Sequence, residues 1–149
     1  MGLGLPVLVL ASPFVAFVLL ASAPPVRRRG RLAGALSIIA IAVAFVTALS
    51  MWRDGANIEE LWAWLPADGG PMARIGVVVD ELTRPMIVLV TLVSLLVQVY
   101  SLGYLHEESP ASLGRYYTYQ SLFAFSMLGL VLSPTFLQMF VFWELVGLC

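Results

Sequence analysis

Residues 32–52 read LAGALSIIAIAVAFVTALSMW, twenty-one residues without a charge, closed by Arg31 on one side and Arg53 on the other. A helix advances ~1.5 Å per residue, so about 20 apolar residues cross a ~30 Å hydrocarbon core. The stretch predicts a membrane-spanning helix, and the chain repeats the pattern. No charge occurs in 1–26, 85–105 or 116–143. Of 149 residues, 60% are hydrophobic and only 11% charged, with a mean hydropathy of +0.94. A soluble domain carries about 25% charged residues. The chain is also too apolar to stay disordered. A net charge of −1 argues against a nucleic-acid partner. Cys149 is the single cysteine, which excludes a disulfide framework and a cysteine metal cluster.

The fold class expected is an all-α integral membrane protein of about five transmembrane helices. The expected spans are 3–23, 32–52, 85–105, 116–132 and 134–149, with an outer loop over 53–84. The last charge gap, 28 residues, is too long for one span, and Ser133-Pro134-Thr135 interrupts it; proline ends one helix and starts the next well. The fifth span holds 16 residues, ~24 Å of helix, with nothing polar to close it. It reads as truncated, the expectation being a longer parent chain. Ala21-Ser22-Ala23 has the pattern of a signal-peptide cleavage site, yet no basic residue precedes the apolar stretch, so a retained helix is expected. Arg27, Arg28, Arg29 and Arg31 follow the first span, and basic residues near span ends stay in the cytoplasm. The amino terminus is then outside, with Arg115 inside and Arg53, Arg74 and Arg84 outside.

The outer loop holds Asp54, Glu59, Glu60, Asp68, Asp80 and Glu81, read as a solvated face in preference to a cation site. Trp52, Trp62 and Trp64 suit the headgroup level. Leu61–Leu65 and Ile75–Val79 flank the turn signal Pro66-Ala67-Asp68-Gly69-Gly70-Pro71, which predicts a short β-hairpin on the membrane surface. Ala40, Ala44 and Ala48, at i, i+4 and i+8, make a close-packing face for a neighbouring helix. Tyr116, Tyr117 and Tyr119 are expected in an aromatic belt.

Little in the chain can carry chemistry. There is no glycine-rich phosphate loop, GxSxG elbow or HExxH helix. The one histidine, His106, sits beside Glu107 and Glu108 in an inner loop and lacks the three or four convergent ligands of a metal site. Glu144 is different, being the only ionisable side chain inside a span. Counted from Pro134 it lies ~15 Å along the axis, near the bilayer centre, where a carboxylate is costly unless protonated, hydrated or paired. Its same-face neighbours Phe140, Val141, Gly147 and Leu148 cannot neutralise it, although Gly147 leaves room for a partner. Two readings stay open: a hydrogen bond to Gln120 or Ser126 that glues the bundle, or a group that holds and releases a proton. No Lys exists in the chain to pair with it.

Phe142-Trp143-Glu144-Leu145-Val146-Gly147-Leu148-Cys149 resembles the WE-x-x-GLC segment of the antiporter-like L-type subunits of respiratory complex I. Val79-Asp80-Glu81-Leu82-Thr83 is similar to that family's VDxLT lead into its third span, and Val99-Tyr100-Ser101-Leu102-Gly103-Tyr104 to its YSxGY exit. Leu122-Phe123, Ser126-Met127 and Leu130-Val131-Leu132 look like its fourth helix. The likeness runs from about Trp62 to Cys149. It implies a subunit of about sixteen spans that moves protons while the complex passes electrons from NADH to quinone in a bacterial inner membrane. It also implies a proton-translocation role for Glu144, paired with a lysine on a later helix, and other membrane subunits as partners. No cofactor is expected in this chain, since the flavin, iron–sulfur and quinone sites would belong to other subunits. The alternatives are the large subunit of a multi-subunit cation/proton antiporter, which shares this architecture and its acid, and a small non-catalytic membrane scaffold.

Overall fold

A computed structural model describes residues 4–67 and 70–149, with side chains outside 65–73. The chain forms α1 (Gly4–Ser22), a single turn α2 (Pro24–Arg27), α3 (Gly30–Asp54), strands β1 (Ile58–Ala67) and β2 (Gly70–Val79), then α4 (Thr83–Tyr104), α5 (Pro110–Val131) and α6 (Phe136–Leu148). It is a helical bundle with a two-stranded hairpin at one end. Among the described residues three helices, α1, α3 and α4, are long and apolar enough to cross a membrane. The expectation of five spans is thus met in full by three. α5 is as long as α4, but Ser112, Tyr116, Thr118, Gln120 and Ser121 dilute its apolar character. α6, at 13 residues, is apolar but ~20 Å long.

The largest boundary difference lies at α5, which begins at Pro110 and not at 116. Ser109 takes the extended cap conformation, its hydroxyl accepting from Ser112 N–H at 3.2 Å, and Pro110 fills a position whose N–H would be unpaired anyway. Charge gaps locate the hydrocarbon, whereas caps locate helix ends, and Arg115 lies between the two. At the other end of α3, Gly55 adopts φ 65° and its N–H donates to Met51 O at 3.3 Å, a left-handed stop open to glycine without strain.

The hairpin is present and longer than Leu61–Leu65 and Ile75–Val79: the antiparallel ladder runs from Ile58↔Val79 to Ala67↔Gly70, with a register shift near Leu65. Asp68 and Gly69 of the turn signal lie outside the described residues. Alternation along β2 buries Val77 and Val79 in the main core, which Val9, Ile41, Ala44, Ala48, Ile87 and Leu128 complete from four helices. The hairpin therefore caps the bundle on its inner side, while Trp62 and Trp64 of β1 stay exposed.

Ala44 and Ala48 are fully buried in the face of α3 that meets its neighbours, but Ala40 is not. The buried stripe passes through Ala33, Ser37 and Ile41 instead, because a 3.6-residue period drifts away from a strict i+4 row. The tyrosines also depart from a belt. Tyr117 is fully buried, Tyr116 half-buried, and only Tyr119 faces outward. With α5 starting at Pro110, Tyr117 stands two turns inside the helix and on its inner face.

Candidate functional site

Glu144 is placed by the way α6 is anchored. Thr135 caps the helix, its hydroxyl accepting from Gln138 N–H at 3.4 Å and donating to Arg74 O at 3.1 Å. Gln138 binds β2 at two points: Gly76 N–H donates to its Oε1 (2.8 Å) and its Nε2 donates to Gly76 O (2.9 Å). Val78 N–H donates to Leu132 O at 3.0 Å. The start of α6 is thus stitched to the hairpin by three hydrogen bonds, and a fourth holds the C-terminal cap of α5 to it.

Rotation about the helix axis is set by Phe142. Its ring lies against Gly129 of α5, where a Cβ would collide with it, and meets Phe125 edge-on at 5.6 Å. Phe125 in turn contacts Phe14 of α1 at 4.7 Å. Each residue turns the helix by ~100°, so Glu144, two residues on, points ~200° away from Phe142. It stands on the open face with Phe140, Trp143 and Leu148, which are 59%, 66% and 77% exposed. Gly147 has no atom within 4 Å of where a Cβ would lie, so space beside the carboxyl is free, as its size led one to expect.

Neither Gln120 nor Ser126 bonds Glu144. Ser126 Oγ is buried and donates to Leu122 O of its own helix at 2.7 Å, and Gln120 lines a shallow groove with Tyr116, Tyr119, Phe123 and Cys149. Among the described residues no hydrogen bond or ion pair reaches the Glu144 carboxylate. The within-chain glue is therefore not formed. His106 is exposed, with Nδ1 2.7 Å from Gly103 O and Nε2 3.7 Å from Glu107. Arg84, counted as a loop charge, is instead 9% exposed at the head of α4, with Nη1 lacking a partner among the described residues.

A polar seam escaped the sequence reading. Thr91, Ser94, Gln98 and Ser101 are all buried on one side of α4; Gln98 meets Ser37 of α3 and Tyr117 of α5, and Ser101 meets Tyr116 of α5. The signal was there: polar residues every three or four positions inside an apolar run mark a helix face. Ser101 Oγ and Tyr116 Oη are 2.7 Å apart, and Tyr117 Oη donates to Gln98 O at 3.0 Å. Ser37 Oγ lies 2.8 Å from Gln98 Oε1 and 2.7 Å from Ser121 Oγ, which donates to Tyr117 O at 2.9 Å. Three bonds there share two hydroxyl protons, while Gln98 Nε2 is buried without a partner. Turning the amide end for end settles the proton count: Nε2 donates to Ser37, Ser37 to Ser121, and Ser121 to the carbonyl, while Oε1 takes the buried position without a partner among the described residues. Such interhelical bonds contribute about 0.6–2 kcal/mol each within a membrane.

Comparison with known proteins follows the same lines. Residues 64–117 match the family described as NADH-Ubiquinone oxidoreductase (complex I), chain 5 N-terminus. The chain is 38% identical, over 97% of its length, to NAD(P)H-quinone oxidoreductase subunit 5 of the chloroplast of Chara vulgaris, covering 22% of that protein. It is 41% identical, over 76% of its length, to NADH-quinone oxidoreductase subunit L of Neisseria meningitidis, covering 17% of it. Among solved structures, the Mrp complex from Dietzia sp. DQ12-45-1b contains a chain with a TM-score of 0.71 and 31% identity, matched over 95% of this chain and 15% of that one. The chain spans about a fifth of the curated relatives or less. Fold and likeness together define the class, a multi-helix membrane protein similar to antiporter-like membrane subunits. Within it, the chain is related to the complex I subunit called L in bacteria and 5 in chloroplasts.

Proposed function

We propose that this region belongs to a proton-translocating membrane subunit of an NADH:quinone oxidoreductase, and that Glu144 is a protonatable group of its path. The observation that carries the reading is the single carboxyl on the open face of α6, held in place by Phe142 and unpartnered among the described residues. A carboxyl in an apolar setting is stable neutral and becomes stable charged when a cation approaches, so a cation moving toward it releases a proton and one moving away lets it take a proton up. The chain has no Lys, and among the described residues no Arg or His pairs with Glu144, so the reading takes that cation from a later helix. A lysine on a later helix, as the family resemblance implies, meets the requirement. Electron transfer from NADH to quinone would drive its movement. The protein then lies in a bacterial inner membrane, amino terminus outside, beside other membrane subunits of complex I.

Replacing Glu144 by Gln in the full-length protein keeps size and polarity but removes titration. The expected outcome is an assembled complex that oxidises NADH but loses most of its NADH-driven pH gradient. A normal gradient would refute the proton-path reading, and failed assembly would favour a structural role. A second reading, a cation/proton antiporter subunit, draws support from the Mrp likeness. It predicts Na⁺-driven proton exchange in membrane vesicles without NADH.

A further inference from the structure

The end of the bundle opposite the hairpin gathers five of the chain's eight arginines. Arg27 and Arg28 share a cleft with Arg115. Arg29 and Arg31 line an adjoining groove of about 700 Å³, walled by Leu32, Leu102 and Leu113 and rimmed by His106 and Glu108. None of the five has a carboxylate within 4.0 Å among the described residues, where the one ion pair is His106 with Glu107. Arg115 Nη2 donates weakly to Ser112 Oγ at 3.4 Å. The cluster is held in place, because the Arg27 backbone lies against Gly114 of α5 so closely that a Cβ there would collide with it.

Two features set the depth and character of this groove. Tyr100 and Tyr104, stacked at 5.7 Å and largely exposed, mark the headgroup level at the same end of α4. Leu32 and Leu102 are 47% and 41% exposed, so the apolar wall opens sideways onto the outer surface of α3 and α4. A soluble anion would use the arginines and leave that wall bare. A molecule with a phosphate at one end and acyl chains at the other fills both.

We propose that this groove binds an anionic phospholipid, with Arg29 and Arg31 on the phosphate and Leu32, Leu102 and Leu113 against the first carbons of its chains. Arginine suits the phosphate because its planar fork donates two parallel hydrogen bonds. Basic pockets between transmembrane helices recognise lipid headgroups by this chemistry. The proposal needs only that the chain spans a membrane, and stands apart from any role of Glu144.

The test uses the full-length protein in its assembled complex, delipidated in neutral detergent and titrated with dioctanoyl phosphatidylglycerol. Saturable binding is expected, weakened about tenfold or more in the double variant Arg29→Gln/Arg31→Gln. Arg27, Arg28 and Arg115 are kept so that orientation is preserved. Dioctanoyl phosphatidylcholine and inorganic phosphate should compete poorly. Equal binding by wild type and variant overturns the site, and displacement by inorganic phosphate at equal concentration overturns the lipid in favour of a soluble anion. Should the variant fail to assemble, wild-type protein with a photoactivatable phosphatidylglycerol decides. Crosslinks concentrated at Leu102 and Leu113 support the groove. Lipid crosslinks spread evenly over the outer faces of the helices, with none concentrated at the groove, overturn it.

Discussion

Asp80 shows how a single side chain in a surface loop prepares a helix. Its Oδ1 accepts from Leu82 N–H at 3.0 Å and Thr83 N–H at 2.7 Å, while its carbonyl accepts from Arg84 N–H at 3.2 Å. The bonds from Thr83 above all hold the carboxyl below its ordinary 3.8. A folded value lower than the unfolded one means that the stabilisation is fully present above the unfolded pKa. It is lost as pH falls through 3.8 toward the lowered value. Caps of this kind contribute about 1 kcal/mol, so Asp80→Ala should speed hydrogen exchange at Leu82 and Thr83 about fivefold at neutral pH. The difference between variant and wild type should vanish under acid, and a pH-independent difference would contradict the assignment. An aspartate five residues ahead of the charge-free run at Pro85 is a readable start signal. The Gln98 seam was less readable, since which partners a buried amide meets depends on helices distant in sequence. Glu144 stood out for the opposite reason: a charge within an apolar run is conspicuous wherever its helix turns.

At the scale of elements, α6 depends on α5 through one close approach. Gly129 admits the Phe142 ring, and that contact aims Glu144 outward. Gly129→Leu should force the helices apart and destabilise by about 1–3 kcal/mol, the range for overpacking. The thermal unfolding midpoint of the full-length protein would fall, and Phe142→Ala in the same chain should restore part of it. Additive losses in the double variant would show that the two residues do not couple. Nothing in the sequence marked Gly129 as different from Gly103, whose Cβ position is open. The distinction arises from a ring thirteen residues later. The early start of α5 and the inward turn of Tyr117 are likewise consequences of capping and packing, which the charge gaps do not report.

For the whole molecule, the bundle sorts its arginines by end. Arg27, Arg28, Arg29, Arg31 and Arg115 cluster at one end, while Arg53 and Arg84 border the hairpin end. The first end should face the cytoplasm. After Cys149→Ser, a cysteine at Ser109 should react with a membrane-impermeant thiol reagent only in permeabilised cells, and one at Asn57 in intact cells. The reverse pattern would invert the proposed orientation. Membrane residence, the order of helices and the hairpin could all be read from the sequence, and Glu144 could be singled out there as a lone acid in an apolar run. Each follows from local facts: the length of a charge-free run, the alternation of a strand, the cost of a carboxylate in lipid. The direction in which Glu144 faces, its lack of a partner here, the buried polar seam and the arginine groove were decided only by tertiary structure. All four depend on rotation about a helix axis, where ~100° per residue separates a buried side chain from an open one. That rotation is set by contacts such as Phe142 on Gly129 and Gln138 on Gly76, which join residues far apart in the chain.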